Sequence, residues 1–169
     1  NATTLMDLGA GSEQLAIHIT NIRPDIHVTA VDLPGCAEQI KQILTAKQAQ
    51  NVSVLAGNYN DINLPEQFDI IWASMSLYYA NNLTELITKI KKSLTTRGCF
   101  ISCHEGLIQQ RTQPEHHVVG RLLPAITGNN VSFSQGDIAT VMLKAGFSQV
   151  ISRTIETNTG PIDVDIGYV

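Results

Sequence analysis

The chain concentrates residues capable of chemistry near its start, in Leu5-Met6-Asp7-Leu8-Gly9-Ala10-Gly11-Ser12-Glu13. An apolar run ends in two glycines, which admit backbone conformations and close ligand approach that a side chain would block. Asp7 adds a carboxylate just before that turn. It either faces a bound cation or caps backbone N–H groups of the turn itself. Asp32 ends the next apolar run, with Leu33 beside it. A carboxylate there can accept hydrogen bonds from both hydroxyls of a neutral ribose and would repel a 2′-phosphate. Its plainer reading is a turn residue before Pro34-Gly35. Asn58 and Tyr59 follow a third run, in Gly57-Asn58-Tyr59-Asn60-Asp61. They offer an amide to a purine edge and an aromatic face to its ring, or else form an ordinary turn. Together these positions describe a crevice for a nucleoside-bearing cofactor.

A second group falls later. His104-Glu105 closes the apolar run Cys99–Cys103, and a histidine there has the ordinary pKa of a general base. The pair could equally be a loop with no role. Tyr78, in Met75-Ser76-Leu77-Tyr78-Tyr79, is a phenol, mostly protonated at neutral pH and a poor base on its own. Glu115-His116-His117 invites a metal reading, but adjacent histidines on a helix point to different sides, and no metal is expected. Trp72 fits a core position better than a pocket wall.

The elements that must position these groups alternate strand and helix. Strands are expected at Thr3–Leu8, His27–Asp32, Val52–Ala56, Phe68–Met75 and Cys99–Cys103. Helices are expected at Ser12–Asn21, Cys36–Gln48, Leu83–Leu94 and Gln135–Ala145, with Gly98 and Gly146 just beyond the last two. Phe147–Thr157 and Ile162–Val169 are strand-like and joined by Asn158–Pro161, a link short enough only for an antiparallel hairpin. The fold class is therefore α/β: a doubly wound, mostly parallel seven-stranded sheet with an antiparallel C-terminal hairpin. The irregular stretch 106–134, with a short helix over Val118–Ile126 interrupted at Pro124, lies at the carboxyl edge, where such sheets bind ligands.

Composition narrows the classes further. A net charge of −4 and pI near 5.7 argue against a nucleic-acid partner. With 43% hydrophobic residues and a mean hydropathy of +0.04, no window reaches the roughly 18–20 apolar residues of a membrane helix, and no signal peptide is visible. Cys36, Cys99 and Cys103 show no pairing or metal-ligand spacing and read as reduced thiols of a cytoplasmic protein. The 169 residues are read as one domain.

Several stretches resemble the small-molecule O-methyltransferases of the caffeate and acetylserotonin type, within the class I S-adenosylmethionine-dependent methyltransferases. They are Asp32-Leu33-Pro34, Gly57-Asn58-Tyr59, Phe68-Asp69-Ile70-Ile71, Met75-Ser76-Leu77-Tyr78-Tyr79 and Ala145-Gly146-Phe147. The resemblance implies a Rossmann-like methyltransferase fold, S-adenosyl-L-methionine as cofactor, and methyl transfer to a small-molecule hydroxyl. It assigns Asp7, Gly9, Gly11, Asp32, Leu33, Asn58 and Tyr59 to the cofactor, with Asp7 towards its ammonium end. There are departures. Glu13 replaces a third glycine, and Asn58 an acidic residue. The family's catalytic histidine falls on Tyr78, and its assisting carboxylates fall near His104–Glu105 and Ser132. The catalytic group is therefore expected to be Tyr78, His104 and Glu105, with Tyr78 positioning the acceptor and His104 taking the proton. Family members also carry an N-terminal helical domain that dimerises and helps close the substrate site. This chain starts at the first strand, so that part is expected to be absent and a homodimer to belong to the full-length form. Two rivals share the architecture. A nicotinamide-dependent oxidoreductase is opposed by Asp7, the hairpin, and Gln14 in place of a third dinucleotide glycine. A non-catalytic S-adenosylmethionine-binding module stays open because the family histidine is missing.

Overall fold

The computed structural model describes residues 2–128, 131–158 and 160–169. Five strands run parallel: β1 (Thr4–Leu8), β2 (His27–Asp32), β3 (Val52–Ala56), β4 (Phe68–Ser74) and β5 (Leu94–His104). Helices α1 (Gln14–Ile22), α2 (Pro34–Ala46) and α3 (Leu83–Ser93) connect them. After β5 come β6 (Gly106–Leu107), α4 (Glu115–Gly120), α5 (Leu122–Ile126), β7 (Phe133–Ser134) and α6 (Asp137–Lys144). The chain closes with β8 (Gln149–Thr157) and β9 (Gly160–Tyr168). The main sheet has seven strands in the order β3-β2-β1-β4-β5-β9-β8, with β9 antiparallel to both neighbours. The expected doubly wound sheet and reversed edge hairpin are both present. The expected turn at Asn158–Pro161 includes Thr159, which lies outside the described residues.

Side-chain alternation explains the two covered faces. Met6 and Leu8 on β1, with Ile71 and Phe100, meet Ile87, Ile90 and Met142 of α3 and α6. Leu5 and Val28 turn the other way onto Ala16 of α1, and Ala30 packs on Ile40 and Leu44 of α2. Strands covered on both faces must be largely apolar, which is why β1, β2 and β4 are legible as runs, while β3 is a half-exposed edge strand. The connections from β1 and β4 lead to opposite sides of the sheet, so a crevice opens between their carboxyl ends.

Helix α3 starts where expected because Asn82 caps it, its side-chain oxygen accepting from Thr84 N and Glu85 N at 3.1 and 3.2 Å. Its end differs from expectation. Gly98 is no helix cap, because α3 passes directly into β5 at Leu94, which turns extended and buries itself beside Phe68. The ladder pairs Phe68 with Leu94 and then Ile70 with Cys99, so the extra residues bulge. Gly98 sits in that bulge, where a Cβ would lie 3.0 Å from the Phe68 carbonyl oxygen. The single helix expected over Val118–Ile126 is two, broken at Arg121 and not at Pro124. Pro124 lies in the first turn of α5, where its missing N–H costs nothing.

Candidate functional site

The turn after β1 is built by its glycines. Gly9 has φ +75° and donates from its N–H to Val31 O at 2.8 Å; Gly11 has φ +65°. A Cβ on Gly9 would stand 2.4 Å from the Ser76 Cβ, whereas one on Gly11 would stand in open space. Asp32, at the end of β2, is held at the rim by two backbone donors. Gly11 N reaches its Oδ2 and Leu33 N its Oδ1, both at 2.7 Å. Each oxygen keeps lone pairs for a diol.

Asp7 lies beneath this turn, only 3% exposed, and its Oδ2 has no hydrogen-bond partner among the described residues. Burial, and then the nearby Asp32 carboxylate, push its pKa up to about 7. Two neighbouring carboxylates without a cation are what a positively charged ligand would relieve. Glu13 is turned elsewhere, its Oε1 3.3 Å from Lys47 Nζ beyond the end of α2.

Opposite stands the β4–α3 turn. Met75 adopts φ +51°, a conformation unusual for a side-chain-bearing residue. The Ser76 hydroxyl donates to Leu8 O at 2.8 Å, and the Ser76 carbonyl accepts from the Tyr59 hydroxyl at 2.6 Å. Asn58 Oδ1 accepts from Asn60 N at 3.0 Å, and Asn60 Nδ2 donates to Tyr79 O at 3.0 Å. A crevice of about 440 Å³ lies between these loops, with Gly9, Asp32, Leu33 and Asn58 on one wall. Met75, Ser76 and Tyr79 line the other. Tyr79 also borders a second hollow of about 740 Å³, walled by Tyr78, Arg121, Leu123, Pro124 and Val131.

The second hollow rests on a charged cluster. The Tyr78 hydroxyl donates to Glu105 Oε2 at 3.0 Å and accepts from Glu105 N at 3.1 Å. Arg121 clamps the same oxygen through Nη2 at 2.6 Å and Nε at 3.1 Å, and its guanidinium carbon lies 4.6 Å from the Tyr78 ring centroid. Phe133 stacks on that ring, centroids 5.0 Å apart. His117 Nδ1 lies 3.4 Å from Glu105 Oε1, and its Nε2 is 3.0 Å from Pro161 O. Burial and the adjoining Glu105 carboxylate hold the Tyr78 phenol above its usual range.

His104 does not fit the role of proton acceptor. It is 1% exposed, and its Nε2 faces Ser76 N at 3.2 Å and Leu77 N at 3.0 Å. Backbone amides can only donate, so this nitrogen's lone pair is already in use. Burial, with the Arg121 charge second, lowers its pKa to about 3. An imidazole so reluctant to ionise has no basicity to offer near neutral pH.

The residues foreseen for the cofactor thus gather at the carboxyl ends of β1, β2 and β3. Tyr78 and Glu105 meet in one hydrogen-bonded pair at the neighbouring hollow, and His104 stands behind both. Sequence reasoning missed Ser76, Asn60 and Arg121. The asparagine-rich run after β3 was a usable signal for Asn60; Arg121 left none, because its partner is distant in sequence. Among the described residues, no three His, Cys, Asp or Glu side chains group as a metal site.

A doubly wound sheet with a reversed terminal hairpin, and a carboxylate at the end of its second strand, is the architecture of the class I methyltransferases. Comparison with solved structures agrees in fold. An O-methyltransferase family protein from Burkholderia thailandensis superposes with a TM-score of 0.82 at 19% identity, covering 99% of this chain and 51% of that one. Human N-acetylserotonin methyltransferase, solved with S-adenosylmethionine, gives 0.70 at 19% identity, covering 99% and 47%. A ribosomal protein L11 methyltransferase of Clostridium perfringens is 32% identical over 112 residues, 66% of this chain and 34% of that protein. The chain belongs to the O-methyltransferase domain family, whose model matches residues 1–148. It spans about a third of the length of that bacterial relative and about half of the solved structures.

Proposed function

We propose that the crevice binds S-adenosyl-L-methionine and that the protein transfers its methyl group to a small-molecule hydroxyl held in the second hollow. One observation carries the reading: a crevice with a rim carboxylate shares a wall, Tyr79, with a second hollow, while the buried Asp7, two residues before Gly9, keeps an oxygen without a partner among the described residues. Asp32 accepts from the ribose hydroxyls, and Asp7 answers the ammonium end. Asn58 and Tyr59 border the adenine. The cofactor supplies a methyl group already activated by its sulfonium charge, so the protein's task is alignment and exclusion of water.

Tyr78 and Glu105 shape the acceptor side, with Arg121 against the Tyr78 ring. The side-chain oxygens of Tyr78 and Glu105 are engaged within the cluster, by each other, by Arg121 and by His117. In this reading the acceptor brings its own acidity, as a phenol or a carboxylic acid does. The net charge of −4 supports a small molecule over nucleic acid, and the three free thiols support a cytoplasmic setting. Among the described residues, no helix is long and apolar enough to cross a membrane. Exposed Leu122, Leu123 and Ile126 beside the hollow support closure by further protein surface, as in a homodimer of a longer form.

The test is calorimetry with S-adenosylhomocysteine, followed by methyl transfer to a panel of phenols, carboxylic acids and aliphatic alcohols. Binding with transfer to the acidic acceptors is expected. No binding removes the cofactor reading, and binding without transfer to any acceptor removes the catalytic one.

A further inference from the structure

We infer that His104 is a positioning residue: as a neutral hydrogen-bond acceptor it clamps the Ser76–Leu77 turn that separates the two hollows. The inference rests on the reading of the crevice as the cofactor site. Two consecutive amides, Ser76 N and Leu77 N, converge on one point, an arrangement that by itself attracts an anion. The lone pair of His104 Nε2 fills that point without bringing a charge. Its proton must then sit on Nδ1, where Ser102 Oγ, 2.9 Å away on the same strand, accepts it and holds the tautomer. Tyr78 and Phe133 pack their rings near the imidazole, with centroids 5.1 and 5.7 Å away, and fix its plane.

The clamped turn reaches every other loop of the site. Its Ser76 hydroxyl holds Leu8 O, its Ser76 carbonyl holds Tyr59, and its Cα side leaves room only for glycine at position 9. Two residues on, Tyr79 forms the wall common to both hollows. A shift of the turn would therefore move the cofactor's wall and the acceptor's wall together. Such displacements weaken catalysis steeply, because in-line transfer tolerates little misplacement. Burial keeps the clamp uncharged throughout the working range, in agreement with its lowered pKa.

The experiment compares wild type, His104→Gln and His104→Leu. Glutamine offers an uncharged acceptor oxygen of similar reach; leucine leaves both amides unpaired. The expected results are an imidazole 15N spectrum of the Nδ1–H tautomer, unchanged from pH 5 to 9. S-adenosylhomocysteine affinity should lie within about threefold of wild type in His104→Gln and fall at least tenfold in His104→Leu. For an acceptor that wild type methylates, kcat should fall with affinity in His104→Leu and recover in His104→Gln. If leucine prevents folding, the spectrum and the glutamine variant decide. A titrating imidazole, equal affinity in His104→Leu, or a folded His104→Gln no better than His104→Leu would overturn the inference. Absence of S-adenosylhomocysteine binding by wild type would instead strike the cofactor reading, while the tautomer would still report on the clamp.

Discussion

The two hollows lie side by side and are built in opposite ways. The proposed cofactor crevice is walled by turns that leave parallel strands directly: Gly9 and Gly11 follow β1, Asp32 ends β2, and Asn58 follows β3. Its hydrogen bonds join adjacent strand ends, such as Gly9 N to Val31 O at 2.8 Å, and tie the loop after β3 to the turn after β4, as Tyr59 Oη to Ser76 O does at 2.6 Å. The proposed acceptor hollow is walled by the turn at Tyr78, Tyr79 and Ala80, by Arg121, α5 and Val131, with α4 leading into it at Arg121. These are short elements whose outward residues Val119, Leu122, Leu123 and Ile126 are 55–73% exposed. Long-range polar contacts, Arg121 to Glu105 and His117 to Pro161, hold this region in place. A cradle set on strand ends beside a wall of short elements held by a few polar contacts is suited to keeping one ligand constant while the other varies.

The sharpest way to break that contrast is to add a methyl group on each side. Gly9→Ala combines a strained φ of +75° with a Cβ placed 2.4 Å from Ser76. Strain and overpacking each cost about 1–3 kcal/mol, so a loss of about 3 kcal/mol or more is expected in urea unfolding. Gly120→Ala, at the end of α4, meets no atom within 4 Å and should stabilise by about 0.5 kcal/mol. Equal effects at the two sites would dissolve the distinction.

Next in size is the rim carboxylate. Asp32→Ala removes the proposed acceptor for the ribose and the anchor of Gly11 and Leu33. S-adenosylhomocysteine affinity should fall about tenfold to a hundredfold, or roughly 1.5–3 kcal/mol. Unchanged calorimetric binding would take Asp32 out of the site. Arg121→Ala is the matching cut on the other side. It leaves Glu105 without its clamp, and a cost of about 2 kcal/mol in thermal or urea unfolding is expected. Cofactor affinity should stay within about threefold, because Arg121 does not line the crevice. A tenfold loss would show that the hollows are coupled more tightly than their construction implies.

What was legible in the sequence follows the same division. β2 and β3 were placed to the residue, because each is a short apolar-rich run whose ends carry turn residues. Asp7, Gly9, Gly11 and Asp32 stood out for the same local reason. The start of β5 was not legible, since Leu94 leaves its helix only because it can bury itself beside Phe68. Nor was the role of His104, which depends on two amides brought to it by the next strand over. A histidine beside a glutamate at a strand end looks like a base until the lone pair is seen to be occupied. Arg121 was passed over because nothing near it in the chain marks a partner.

The smallest effect concerns Asp7, and its sign distinguishes a cofactor carboxylate from a turn cap. The carboxyl rises from its ordinary 3.8 to about 7, chiefly through burial and then through Asp32. A folded pKa above the unfolded one means that ionisation works against folding. The penalty is absent below about pH 4, grows as pH rises towards 7, and is constant above. A rise of that extent corresponds to roughly 4 kcal/mol at most. An asparagine in its place would escape that penalty but would bury an amide whose hydrogens lack partners, at about 1–3 kcal/mol. Asp7→Asn should therefore gain about 1 kcal/mol at pH 8 relative to wild type and lose about 1–3 kcal/mol at pH 4, as read by urea unfolding. With the cationic cofactor the balance reverses: wild type should bind more tightly from pH 5 to pH 8 as Asp7 ionises, and Asp7→Asn should show a flatter dependence. A carboxylate that merely capped the turn would give the opposite result, with Asp7→Asn less stable at pH 8 and cofactor affinity equally pH-dependent in both proteins.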